Sequence, residues 1–132
     1  MARMFLGIVG TAYLLLAIWC ASMPDQTARS VGFELVSGSG QSEYFVVYGG
    51  LQLALGIAFL WPLRRKADTE GGLRLCCLIH SCLVVFRTVS LFQFSDIGPT
   101  TYTLAVVEWV ILLSALFVSW RTMIATAETV PE

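Results

Sequence analysis

Apolar residues run almost unbroken through four stretches of the chain, and polar residues gather between them. The stretches lie near residues 4–23, 43–63, 72–93 and 102–121. Each has the roughly 20 residues that a helix needs to cross about 30 Å of hydrocarbon. Backbone amides in lipid must be satisfied within their own segment, so such stretches fold as helices. The pattern predicts an all-α fold, a four-transmembrane-helix bundle, with residues 1–132 forming one integral membrane domain. The first connection, "PDQTARSVGFELVSGSGQSE", is the longest. Within it "TARSVGFELV" suits a short amphipathic piece that lies at the interface or folds back over the bundle. "RRKADTEGG" and "FSDIGPTT" form the other two connections. The first apolar run superficially resembles a signal peptide. It is long, however, and Trp19 and Cys20 stand where cleavage would need small residues, so it reads as a retained span.

Charge orients the bundle. Arg3, Arg64, Arg65, Lys66, Arg74 and Arg121 fall on one side of the predicted membrane, and Arg29 on the other. The positive-inside rule then puts both termini and the second connection in the cytoplasm. Trp19, Trp61, Trp120, Tyr44 and Tyr102 stand near span ends, as interfacial aromatic belts do. Hydrophobic residues make up 57% of the chain and charged ones 13%, too apolar a mixture for a soluble domain of this size. The net charge of −1 gives no basis for nucleic-acid binding.

A few polar residues interrupt the spans. Arg87 and Glu108 each lie about six residues inside the outer end of a span, roughly 9 Å deep. A lone charge in hydrocarbon costs at least about 2.5–3.5 kcal/mol, so two opposite charges at one depth are expected to pair. The pair is either a structural pin between helices or the centre of a ligand pocket. Tyr48, at about 8 Å, and Gln52, at about 14 Å, share a helical face and are candidates for the same pocket, with Ser90 and, at the rim, Glu43. Gly50, Ala54 and Ala58 form a small-residue stripe nearly opposite that face. With Gly49 it is expected to be a helix-packing seam.

In the third span Cys76, Cys77, His80, Val84 and Arg87 share a face. Cysteine and imidazole together suit copper or zinc. No second ligand cluster accompanies them, and cysteine also packs as a small soft hydrophobe. The expectation is no metal, with His80 an interior histidine or a proton relay. All four cysteines lie in apolar segments, which argues against a disulfide framework. No phosphate loop, nucleophile elbow or redox pair is present, so the chain leans away from being an enzyme, and no cofactor is expected.

"VYGGLQLALG" in the second span, "RTVSL" closing the third and "TLAVVEWV" in the fourth together resemble a bacterial domain-of-unknown-function family of four-helix membrane proteins in the DoxX-like neighbourhood. Many members carry an acidic residue followed by Arg before the Tyr-Gly-Gly. Here "SEYFVVYGG" supplies Glu43 without the Arg. The resemblance implies a fold, a recurring polar set, the bacterial inner membrane and a loose link to quinone or sulfur metabolism. The expected function is a small membrane binding or accessory protein. Its extracytoplasmic pocket would hold a lipid, isoprenoid or similar amphiphile, or it would dock to a larger membrane complex or a second copy. A quinone- or lipid-modifying enzyme subunit and a small dimeric transporter are the alternatives.

Overall fold

A computed structural model describes residues 1–127. All regular structure among them is helical: α1 (Ala2–Ser22), α2 (Pro24–Ser30), α3 (Ser39–Tyr44), a π-helical segment (Phe45–Leu51), α4 (Gln52–Arg64), a 3₁₀ turn (Lys66–Asp68), α5 (Thr69–Gln93) and α6 (Pro99–Ala127). Four of the resulting helical stretches are long and apolar enough to span a membrane: Ala2–Ser22, Ser39–Arg64, Lys66–Gln93 and Pro99–Ala125. Only 17 to 28% of their most apolar windows is buried inside the protein, so most of that surface is suited to hydrocarbon. This is the pattern of a multi-pass membrane protein.

The helix ends follow from local chemistry. Pro24 opens α2 and Pro99 opens α6, positions where the missing proline N–H has no intrahelical use. Gly32 (φ 84°) closes α2 in the left-handed region, and the Phe33 N–H reaches back to the Ala28 carbonyl at 2.9 Å. At the end of α4, Pro62 sits in the last turn. The Arg3 guanidinium donates to the Pro62 carbonyl at 3.1 Å and also to the Leu63 carbonyl. A cation thus closes a helix C-terminus whose carbonyls lack partners in their own helix.

The bundle is built from two antiparallel hairpins. α1 packs along α4 and the π segment, α5 packs along α6, and thinner contacts join the two. Two glycines set the α1–α4 approach. A Cβ on Gly56 would lie 2.8 Å from Leu14 Cδ2 and 3.0 Å from the Leu14 backbone nitrogen. One on Gly10 would lie 2.9 Å from the Gly56 carbonyl oxygen. Close backbone approach of this kind suits membrane helices, which gain no hydrophobic drive by leaving lipid.

The expected seam is therefore corrected. Gly50 and Ala54 are exposed and Ala58 is half-buried. A Cβ on Gly50 would meet nothing within 4 Å among the described residues. Gly49 alone of that set is buried, with its Cβ direction 3.5 Å from Ala21. The reason is polarity: Gly and Ala are tolerated against lipid, whereas Gln52 on the nearly opposite face is not, so the polar face turns inward.

The two ends of the bundle are packed differently. One core cluster joins Leu6 and Val9 of α1, Phe59 of α4, Leu73 and Cys76 of α5, and Ala115 and Val118 of α6. It draws on all four spans and occupies the half near Met1 and the C-terminal part of α6. The second cluster joins Cys20, Ala28 and Tyr44, with Leu16, Leu35 and Tyr48 against it. It belongs to the far half and includes no described residue of α5 or α6. The first connection folds back onto this end rather than lying free. Thr27 and Ala28 are buried, and Phe33 makes edge contacts with Tyr44 and Tyr48, centroids 6.4 and 5.9 Å away.

Candidate functional site

Arg87 of α5 and Glu108 of α6 form a two-pronged ion pair. Nε donates to Oε2 at 3.0 Å and Nη2 to Oε1 at 2.8 Å. The short turn between the helices makes them antiparallel neighbours and brings the two charges to one level. This geometry uses the planar fork of the guanidinium, which a lysine could not supply. The side chains are 28% and 13% exposed, so the pair is sheltered but not sealed. The remaining N–H groups of Arg87 make no hydrogen bond to the described residues.

Tyr48 comes from the π segment and lies within electrostatic reach of Arg87. Its ring stacks on Tyr44, centroids 4.4 Å apart and 18° between planes. Stacking at this spacing accompanies the wide π turn, which Gly49 and Gly50 leave free of side chains. Gln52 opens α4, and its Oε1 is buried without a hydrogen-bond partner among the described residues.

Two expected members of the site are not brought to it. Ser90 donates to the carbonyl of Arg87 at 2.8 Å, a bond within its own helix, so its hydroxyl is engaged away from the ion pair. Glu43 is exposed on α3. Its neighbour Tyr44 takes the buried side of that short helix and donates to Cys20 Sγ at 3.8 Å. A carboxylate at the rim gains nothing from turning inward where solvent is available.

His80 lies deeper, on the same face of α5 as Arg87, and is 1% exposed. Its Nδ1 donates to the Cys76 carbonyl at 2.9 Å, which leaves Nε2 as an acceptor. The Tyr13 hydroxyl stands 3.3 Å from Nε2 and donates to it. Tyr13, His80 and Phe59 form an aromatic trio, with Tyr13 edge-on to both partners. Glu108 is within electrostatic reach of both Tyr13 and His80. Tyr13 was not singled out by the sequence pattern. The signal was available, because a tyrosine in the middle of a span needs a partner for its hydroxyl. Tyr13→Phe is expected to lower stability by about 1–3 kcal/mol, since it leaves the buried Nε2 without a donor. Thermal unfolding in detergent checks this, and a variant as stable as wild type would show the bond to be idle.

Cys76 Sγ lies 3.6 Å from His80 Nδ1, but that nitrogen is already engaged by the backbone. Cys77 Sγ faces Ser119 Oγ at 3.6 Å, and Cys82 is exposed. Among the described residues no group of three or more His, Cys, Asp or Glu converges as a metal site would require. The four cysteines are free thiols.

The candidate residues thus comprise a neutralised charge pair with unused donors, a buried glutamine oxygen without a partner among the described residues, and a stacked tyrosine.

No curated protein and no solved structure matches the chain. A family model described as a domain of unknown function, DUF4345, matches residues 1–119, and the chain belongs to that family.

Proposed function

We propose that the protein is a small membrane binding or accessory protein that holds the head group of an amphiphile between its two hairpins. The observation that carries this reading is the uneven packing. The core that ties all four spans is confined to the half near Met1, and the polar residues Tyr48, Gln52, Arg87 and Glu108 occupy the other. A pair that served only as a pin would leave the buried, unpartnered Gln52 oxygen unexplained. The aromatic cluster Phe33, Tyr44 and Tyr48 gives the site an apolar cover.

In this reading the site lies in the extracytoplasmic half, because Arg3, Arg64, Arg65, Lys66 and Arg74 gather at the opposite end. The membrane is the bacterial inner membrane, and kinship with DoxX-like proteins is part of the same proposal. Single cysteines introduced at Ser39 and Asp68 test the orientation. A membrane-impermeant thiol reagent is expected to label position 39 in intact cells and position 68 only after lysis. The reverse pattern would move the site to the cytoplasmic half.

The binding reading is tested by mass spectrometry of the lipids that co-purify in mild detergent. Wild type is expected to retain a discrete amphiphile. The double variant Arg87→Leu, Glu108→Leu is expected to stay folded and lose it. Equal lipid content in the two proteins would reduce the pair to a structural pin.

A further inference from the structure

A groove of about 450 Å³ runs between α1 and α6, in the half of the bundle near Met1. Met1, Phe5 and Ile8 form one wall, and Leu113, Phe117 and Val118 the other. Ser114 adds a hydroxyl to a lining that is otherwise apolar among the described residues. Val118 is buried at the floor, and the other wall side chains are exposed or half-buried. Helix geometry sets the depth. Met1 to Ile8 covers roughly 10 Å, and Leu113 to Arg121 roughly 12 Å. Half of a hydrocarbon layer of about 30 Å is about 15 Å, so the groove has nearly the depth of one leaflet.

The charge at its mouth has one sign. Arg121 follows Phe117 by four residues and Val118 by three, so it continues the groove-lining face of α6 one turn toward the helix end. Its side chain is exposed and makes no ion pair or hydrogen bond with the described residues. Beside it the Trp120 ring packs on Phe117, centroids 6.3 Å apart, and indoles favour the head-group level of a bilayer. Neither wall offers a carboxylate. α1 contains none. The one in the described part of α6 is Glu108, roughly 20 Å along the helix from Arg121 and already paired with Arg87. A cation so placed suits a head group of net negative charge, whereas the ammonium of a zwitterionic head group would meet no partner on either wall.

We infer that the α1–α6 groove seats one acyl chain of an anionic phospholipid, with its phosphate on Arg121 and its ester region beside Trp120. The site lies at the opposite end of the bundle from Arg87 and Glu108, and it does not rest on the amphiphile-binding reading. α1 belongs to one hairpin and α6 to the other, so the bound chain bridges them where all four spans share a core.

The test uses the full chain in a neutral detergent and two lipids with the same tails, dioleoyl phosphatidylglycerol and dioleoyl phosphatidylethanolamine. Titration followed by native mass spectrometry reads the first lipid bound. Phosphatidylglycerol is expected to bind about fivefold more tightly, the effect of one arginine near an anionic head group. Arg121→Gln is expected to level the two lipids. Arg64→Gln removes an equal charge from the same end and is expected to leave the preference intact. Ile8→Trp fills the groove and is expected to weaken both lipids. Equal affinity of the two lipids in wild type would overturn the inference. Equal loss of preference in Arg64→Gln and Arg121→Gln would mean a diffuse attraction to the basic end, and would overturn it too. Undiminished binding by Ile8→Trp would take the chain out of the groove, with the same result. A preference that survives Arg121→Gln but disappears in the double variant Arg87→Leu, Glu108→Leu would move the lipid to the other end. That outcome overturns the inference and favours the amphiphile-binding reading.

Discussion

Glu108→Ala is expected to be the most damaging single substitution in the protein, with Arg87→Ala next. Removing one partner of a sheltered ion pair costs about 3–5 kcal/mol, mostly through the charge left behind. Here the pair makes two hydrogen bonds at 3.0 and 2.8 Å, and both are lost at once. The two substitutions are not equivalent. A carboxylate left alone can take up a proton and become neutral, whereas a guanidinium stays charged. Orphaning Arg87 is therefore worse than orphaning Glu108. The double change to alanine leaves no orphan charge and recovers part of the loss. Thermal unfolding of the wild type, both single variants and the double variant in one detergent provides the thermodynamic cycle. Additive losses would mean that the two side chains do not act as partners.

Gly56→Val is expected to be nearly as severe, for a purely steric reason. Even its Cβ would sit 2.8 Å from Leu14 Cδ2, 2.9 Å from Leu14 Cγ and 3.0 Å from the Leu14 nitrogen. The first two belong to a side chain that can turn, but the third is backbone. α1 and α4 must move apart to admit the added atoms, which costs on the order of 1–3 kcal/mol or more. Gly10→Val meets the same obstacle from the other helix, at the Gly56 carbonyl. Gly50→Leu is expected to change stability by less than about 0.5 kcal/mol, because its side chain enters open space. Unfolding midpoints of the three variants decide between this contact and the Gly50–Ala54–Ala58 stripe. A severe effect at Gly50 with tolerance at Gly56 would reverse the assignment.

These glycines mark where the sequence stops being legible. The four spans could be read because lipid imposes one demand, about 20 apolar residues in a helix, and the chain meets it four times. The meeting of Arg87 and Glu108 could be read because both lie at one depth and neither is tolerated alone in hydrocarbon. Which small residues pack could not. Gly50, Ala54 and Ala58 make a stripe within one helix, but close approach depends on the register between two helices. Gly56 becomes critical only because Leu14 lies opposite it. The two faces of the second span are separable in the sequence, and both are expected there to meet protein; Gly50 and Ala54 on the small face are exposed instead. Gln52 decides this, since an amide directed at lipid would cost more than two misplaced glycines. Tyr13 was hidden among leucines, although its hydroxyl made the same demand for a partner. The π turn at Phe45–Leu51 has no compositional signature beyond its glycine pair, and nothing in the apolar pattern announces it.

The concentration of the four-helix core at one end also has a mechanical meaning. The bundle is a pair of arms clamped at the base, with Leu6, Phe59, Cys76 and Ala115 in the clamp. A rotation of one arm about such a base displaces its tip in proportion to arm length. Fourteen residues of helix give an arm of roughly 20 Å, so a tilt of about 10° carries the tip roughly 4 Å while the base hardly moves. Gln52, seven residues from Phe59, sits halfway along its arm, and Arg87, eleven residues from Cys76, lies nearer the tip, where the same tilt moves it further. Any sideways force on the arms therefore alters their separation most at the far end and least at the clamp.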